Sequence, residues 1–321
     1  MAPELSIRFT AKDETAPISV LLFRPDTGVA TPPAPFKPPL DDKTLGELRW
    51  YLEEFSFWPS GPDYERAEGI ENSLENWGRA LRDSVIADRE AARLWQQLLD
   101  APAEGKLVTI DATDPRVLRL PWELLADDGG HVSARGIGVR RRLQKATLMA
   151  TRAFEPPVRV LVVAPRPDDA GFIDPRITAL PLLVALVGLG NQVAVEFLYP
   201  PTLLALVERL RDRHAPPVHV VHFDGHGVYD EKLGLGYLLF ENEEHKKDRV
   251  DADRLGTLLF NCGVPLMVLN ACQSAKQEKT NPYASVAARL IRSGVGSVLA
   301  MNYSVLVMAA RKFVEIGRAH V

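Results

Sequence analysis

Cysteine is nearly absent. The 321 residues hold two, Cys262 and Cys272, which cannot build a disulfide framework and point to free thiols in a reducing cytoplasm. Long apolar runs are missing too. None approaches the ~20 residues that a membrane helix needs. Met1–Ser6 carries neither a basic stretch ahead of an apolar one nor a small-residue cleavage site, so no membrane span and no secretory signal is read. A net charge of −4 and a pI near 6.0 leave no global field for a polyanion, which argues against nucleic acid and acidic membrane surfaces as partners. The run Arg140, Arg141, Arg142 is short and reads as a solvated strand end. There is no Walker A loop: Gly188-Leu189-Gly190 follows a helix, as a C-cap does, and Gly234-Leu235-Gly236 lacks a third glycine. A nucleotide-dependent enzyme is therefore not expected.

What is present is ordinary globular chemistry, 46% hydrophobic and 25% charged residues, in a chain long enough for about two domains of ~150 residues. Residues 1–39 are expected to hold two short strands, Leu5–Phe9 and Ile18–Phe23, and then a proline-rich extended connector from Thr31 to Pro39. Residues 40–150 follow as a second segment. There, Ile70, Leu74, Trp77, Leu81 and Val85 recur at spacings of three and four, which predicts an amphipathic helix within Asp63–Asp100, packed on its own domain. A strand is expected over Lys106–Asp111. Pro121–Leu125 predicts a helical turn begun by a proline, and Asp127–Gly130 is turn chemistry.

Residues 151–315 change character. Val158–Ala164, Val193–Tyr199, Val218–Phe223, Pro265–Ala271 and Ser297–Met301 are short, near-continuous apolar runs, as strands buried on both faces are. Helical stretches around Leu180–Val187, Leu203–Arg213, Asp253–Phe260 and Ala284–Arg292 separate them. The pattern predicts an α/β fold with a parallel-rich sheet flanked by helices, whose ligand crevice lies beyond the carboxyl ends of the strands. Two groups stand just there: Asp224-Gly225-His226-Gly227 after the third run and Cys272-Gln273-Ser274 after the fourth.

A thiol nucleophile needs a nearby base and backbone N–H groups aimed at the developing oxyanion. Either residue alone has a plain structural explanation, since free cysteine is often core and a histidine between glycines can be a turn residue. Together, at two strand ends, with His226 preceding Cys272 by 46 residues, they fit the caspase order and spacing. Gly225 and Gly227 are expected to turn the backbone and leave the imidazole open to substrate. Cys262 is taken as structural. A metal site is not read, because His219 and His222 fall on opposite strand faces and His222 with His226 share a face only on a helix. Asp224 is expected as a satisfied turn carboxylate at the edge of the substrate pocket.

His222-Phe223-Asp224-Gly225-His226-Gly227, Leu269-Asn270-Ala271-Cys272-Gln273-Ser274, Leu120-Pro121-Trp122-Glu123-Leu124-Leu125 and the glycine turn from Ser293 to Asn302 together resemble the CHAT family, from about Leu40 onward. That resemblance implies a caspase-like three-layer sandwich. It also implies peptide-bond hydrolysis without a cofactor, with His226 as general base, Cys272 as nucleophile and the backbone N–H groups of Gly227 and Cys272 as oxyanion hole. It further implies a protein substrate and a switch operated by a sensor or repeat-containing module in bacterial defence or cell fate; no 34-residue repeat is found within the chain itself. The pocket is expected to be walled by Asn302, Tyr303 and Ser304. An inactive scaffold of the same fold is the rival expectation. Residues 316–321, Ile-Gly-Arg-Ala-His-Val, read as translated sequencing adapter, so the chain is expected to be incomplete and His320 is no site candidate.

Overall fold

Short β-branched runs bounded by proline, glycine or aspartate become strands because such side chains fill a pleated surface buried on both sides. The computed structural model describes residues 3–12, 15–55, 60–102, 105–142, 155–174, 180, 182–184, 186, 188–230, 235–270 and 282–300. The chain divides into two compact units, Met1–Gln144 and Lys145–Val321.

In the first unit β1 (Glu4–Thr10), β2 (Ile18–Phe23), β3 (Ala34–Phe36), β4 (Leu107–Asp111) and β7 (Gly138–Arg142) form one sheet in the order β3-β2-β1-β4-β7. The proline-rich segment is therefore more than a connector. β3 pairs antiparallel with β2, and Phe36 is buried against Phe9 with ring centroids 4.8 Å apart. An edge strand tolerates Pro35 because its missing donor need not face a partner. The single helix expected over Asp63–Asp100 is two, α2 (Gly61–Asp83) and α3 (Arg89–Asp100), after α1 (Asp42–Glu53). Asp88 ends the continuity: its carboxylate accepts from the Ala91 N–H at 2.8 Å and caps α3.

Trp122 lies in the expected turn, a single 3-10 turn over Trp122–Leu124, wholly buried beside Phe9 and donating its indole N–H to the Val117 carbonyl of the short α4 (Pro115–Leu118) at 2.8 Å. Asp127–Gly130 closes a two-residue hairpin between β5 (Ala126–Asp127) and β6 (Gly130–His131). The three arginines of β7 are tied down: Arg140 bonds Thr109, Arg141 pairs with Glu123, and Arg142 bonds Asp111 and Ser6. Their charge serves the edge of this sheet.

The second unit is built on a parallel sheet of β8 (Val158–Val163), β9 (Val193–Phe197), β10 (Val220–Asp224), β14 (Leu266–Asn270) and β15 (Ser297–Ala300), ordered β15-β14-β10-β8-β9. The chain steps from β8 outward to β9, then back across β8 to β10 and onward. Because such crossovers are right-handed, the connections that step back from β9 to β10 and onward to β14 share one face. One face buries Leu161, Val163, Val221, Phe223, Met267 and Leu269 with α5 (Leu203–Arg211), α6 (Ala252–Asn261) and α7 (Pro282–Arg292). On the other, His222 lies between its register partners Val162 and Val268. The arrangement is the expected parallel-rich sheet flanked by helices.

Between β10 and β14 the chain also forms a three-stranded antiparallel sheet, β11 (His226–Asp230), β12 (Leu235–Glu241) and β13 (Lys247–Asp251). The apolar-run pattern did not anticipate it. Phe240 of β12 packs on Phe223 of β10 at 5.3 Å between centroids, which joins the small sheet to the core.

Candidate active site

Val163, Asp224 and Asn270 end three adjacent parallel strands, and Asp224 stands in register with Asn270. The expected pairing of the third and fourth apolar runs is present. Strand order reverses between β8 and β10, which places the crevice of an α/β sheet at their carboxyl ends.

His226 follows two residues after Asp224. It opens β11 opposite Leu239 instead of standing in a loop. Gly225 provides room: a Cβ there would lie 3.0 Å from the Phe223 ring and 3.2 Å from Pro165. The imidazole, expected to be open, is 7% exposed, because the segment after β8 folds over it. Its Nε2 lies 2.6 Å from the carbonyl oxygen of Gly171. A carbonyl can only accept, so Nε2 carries the proton and Nδ1 is the unprotonated, basic nitrogen. Burial holds this imidazole below its ordinary pKa, opposed by the Gly171 hydrogen bond and assisted by the nearby Arg166 charge. A neutral ring of fixed tautomer is one that can take a proton at Nδ1.

The segment carrying Gly171 is fastened along its length. Arg166 donates from its backbone N–H to Glu241 Oε1 at 2.6 Å, and its guanidinium reaches Asp224 Oδ2 at 2.6 Å and the Asp224 carbonyl at 2.5 Å. Asp168 N–H bonds the His245 carbonyl at 2.9 Å, and Asp169 Oδ1 accepts from Lys247 N–H at 2.8 Å. Asp224 is thus not the turn carboxylate expected. It is 1% exposed, and its second oxygen accepts from Asn270 Nδ2 at 3.4 Å.

The other histidines are structural. His219 Nδ1 accepts from the Arg159 N–H at 3.0 Å, and burial depresses its pKa. His222 is buried with no partner at Nε2 among the described residues, and desolvation lowers it to about 4. Among the described residues no group of three or more His, Cys, Asp or Glu is placed to hold a metal ion, and no helix is long and apolar enough to cross a membrane. Cys262 caps α6 and packs beside the core. Gly227 lies in β11 opposite Leu238. Cys272, two residues beyond Asn270, and Asn302, Tyr303 and Ser304 lie outside the described residues.

Two participants escaped the sequence reading. The Gly171 carbonyl has no side-chain signature. Arg166 could have been found, because it follows the first apolar run as His226 follows the third.

No curated protein matches the chain at a significant level. The family model of the CHAT domain matches residues 88–316, starting later than the Leu40 expected from the motifs. That span is more than two thirds of the chain and takes in β8, β10, β14 and His226, so this chain belongs to the CHAT-domain family, a family related to caspase-like cysteine peptidases.

Proposed function

We propose that the chain is a cysteine endopeptidase in which His226 is the general base and Cys272 the nucleophile. The observation that carries this reading is the hydrogen bond from His226 Nε2 to the Gly171 carbonyl, made at the end of a strand whose parallel neighbour leads into Cys272. An imidazole held in that tautomer has its basic Nδ1 ready for a thiol proton. The thiolate of Cys272 attacks the scissile carbonyl, and backbone N–H groups of Gly227 and Cys272 hold the oxyanion. The protonated imidazole then gives its proton to the leaving amine. Water, deprotonated by His226, hydrolyses the thioester and restores the thiol. The substrate is a protein, its P1 side chain reads the segment with Asn302, Tyr303 and Ser304, and a sensor module on a partner switches the activity in bacterial defence or cell fate. The compartment is the cytoplasm.

One observation favours a second reading. His226 at 7% exposure suits a fold used as an interaction module without catalysis. The two separate on labelling of the full chain with a peptidyl acyloxymethyl ketone, with and without the products of neighbouring genes. The peptidase reading expects one adduct, on Cys272, abolished in His226→Ala. An unlabelled Cys272 under every condition, or labelling indifferent to His226, sinks it.

A further inference from the structure

Asp224 is a buried carboxylate that the proposed chemistry leaves unused. Two residues after it His226 opens β11. Asp224 receives Arg166 from the end of β8, through the guanidinium to both its side chain and its backbone carbonyl, and Asn270 from the end of β14. Gly225 N–H adds a bond to the Asn270 carbonyl at 3.2 Å. One network therefore ties together the ends of three strands: the one whose continuation brings Gly171 to the imidazole, the one that continues into His226, and the one that continues into Cys272.

Arg166 also has a second attachment. Its backbone N–H is held by Glu241 Oε1, at the end of β12, while Glu241 Oε2 accepts from His245 Nδ1 at 2.9 Å. Gly171 lies five positions beyond Arg166, and the stretch between them is bonded to the β12–β13 turn by Asp168 N–H and Asp169 Oδ1. An ion pair placed here acts on geometry, since a charge pair with fixed hydrogen-bond directions determines where two backbones stand more sharply than apolar packing does.

We propose that Arg166 and Asp224 are positioning residues, a half-buried ion pair that sets the spacing of the β8, β10 and β14 ends and thereby holds the Gly171 carbonyl, His226 and the chain entering Cys272 in one reactive arrangement. The pair takes no part in the proposed proton transfers. It acts through the backbone of Asp224 and through the segment from Arg166 to Gly171. The inference rests on the peptidase reading, and it predicts something that reading does not: loss of nucleophile reactivity from residues that neither bind substrate nor exchange protons with it.

The test is the rate of alkylation of Cys272 by iodoacetamide, resolved by peptide mass spectrometry from that of Cys262 and measured from pH 5.5 to pH 9. Proteins compared are the wild type, His226→Ala, Arg166→Lys, Arg166→Gln, Asp224→Asn and the double variant Arg166→Gln with Asp224→Asn. The wild type should show Cys272 reactive at lower pH than Cys262, and His226→Ala should erase that difference. Arg166→Gln and Asp224→Asn should lower the Cys272 rate near neutral pH by on the order of 10²-fold, the cost of about an ångström of misplacement, and move its pH profile toward that of Cys262. Arg166→Lys, which keeps the charge, should restore part of the rate. If a single variant unfolds, the double variant is decisive, because it removes both charges and leaves none buried alone. A folded double variant with the wild-type Cys272 profile overturns the positioning role and leaves the peptidase reading standing. A wild type in which Cys272 behaves like Cys262 overturns the peptidase reading itself.

Discussion

Acid should loosen the second unit through His222. The side chain is buried between Val162 and Val268, its Nε2 has no partner among the described residues, and desolvation lowers its pKa from 6.5 to about 4. With the folded value below the unfolded one, stability is fully present above pH 6.5 and is lost as pH falls, because the unfolded chain takes up the proton first. At about 1.36 kcal/mol per unit, the loss between pH 7 and pH 5 is about 2 kcal/mol, rising to about 3 kcal/mol at pH 4. His226 and His219 are shifted in the same direction, so the informative quantity is a difference between the wild type and His222→Leu, which fills a similar volume and does not titrate. All five tryptophans lie between Trp50 and Trp122, in the first unit, so fluorescence does not report this event. Hydrogen exchange of the β10 amides in urea does. The variant should be the more stable protein at pH 7, having lost an unsatisfied buried nitrogen, and its advantage should widen by about 2 kcal/mol at pH 5. An advantage that stays constant across that range would refute the assignment of His222 as a buried neutral imidazole.

Cys272→Ala and His226→Ala should each abolish proteolysis and ketone labelling while circular dichroism stays unchanged, and Cys262→Ala should stay near wild type; a dead Cys262→Ala with an active Cys272→Ala reverses the assignment. Gly78→Ala should destabilise the first unit by about 3 kcal/mol, an overpacking cost, since its Cβ would lie 2.0 Å from the Leu124 carbonyl oxygen. Tryptophan fluorescence in urea measures it, and a loss under about 1 kcal/mol contradicts the packing. Asp251→Ala removes the cap that accepts from Arg254 N–H at 2.8 Å and should cost about 1 kcal/mol, read as a lower unfolding midpoint; no change means that solvent replaces the cap.

The parts of the fold legible in the sequence were those whose burial leaves a plain pattern. β8 and β10 are buried on both faces and β14 on one, and all three spell near-continuous apolar runs, so their pairing and the placing of His226 beyond a strand end could be read directly. β11 and β13, with the sequences HGVYD and KDRVD, are short and polar, and their strand character comes from pairing with β12 rather than from their own composition. Ala34–Phe36 was hidden by its proline, and the break between α2 and α3 by a periodicity that Val85 continues past the end of the first helix. At the site, side-chain chemistry was legible and its support was not. A backbone carbonyl such as that of Gly171 has no signature, and Asp224 looked like a turn residue because its partner Arg166 is 58 positions away.

The central strand of the first sheet is the one made first. β1, with Leu5 and Ile7 wholly buried, has β2 on one side within a few residues, but its other neighbour is β4, joined through Ser6 opposite Thr109. Roughly a hundred residues must leave the ribosome before that edge is covered, and such long-range pairing is slow and leaves an apolar strand open meanwhile. A fragment begun at Asp88, where the family match begins, would keep β4 and β7 and discard the strand between β4 and β2. The boundary by which the family is recognised is therefore not a boundary at which this chain can be cut.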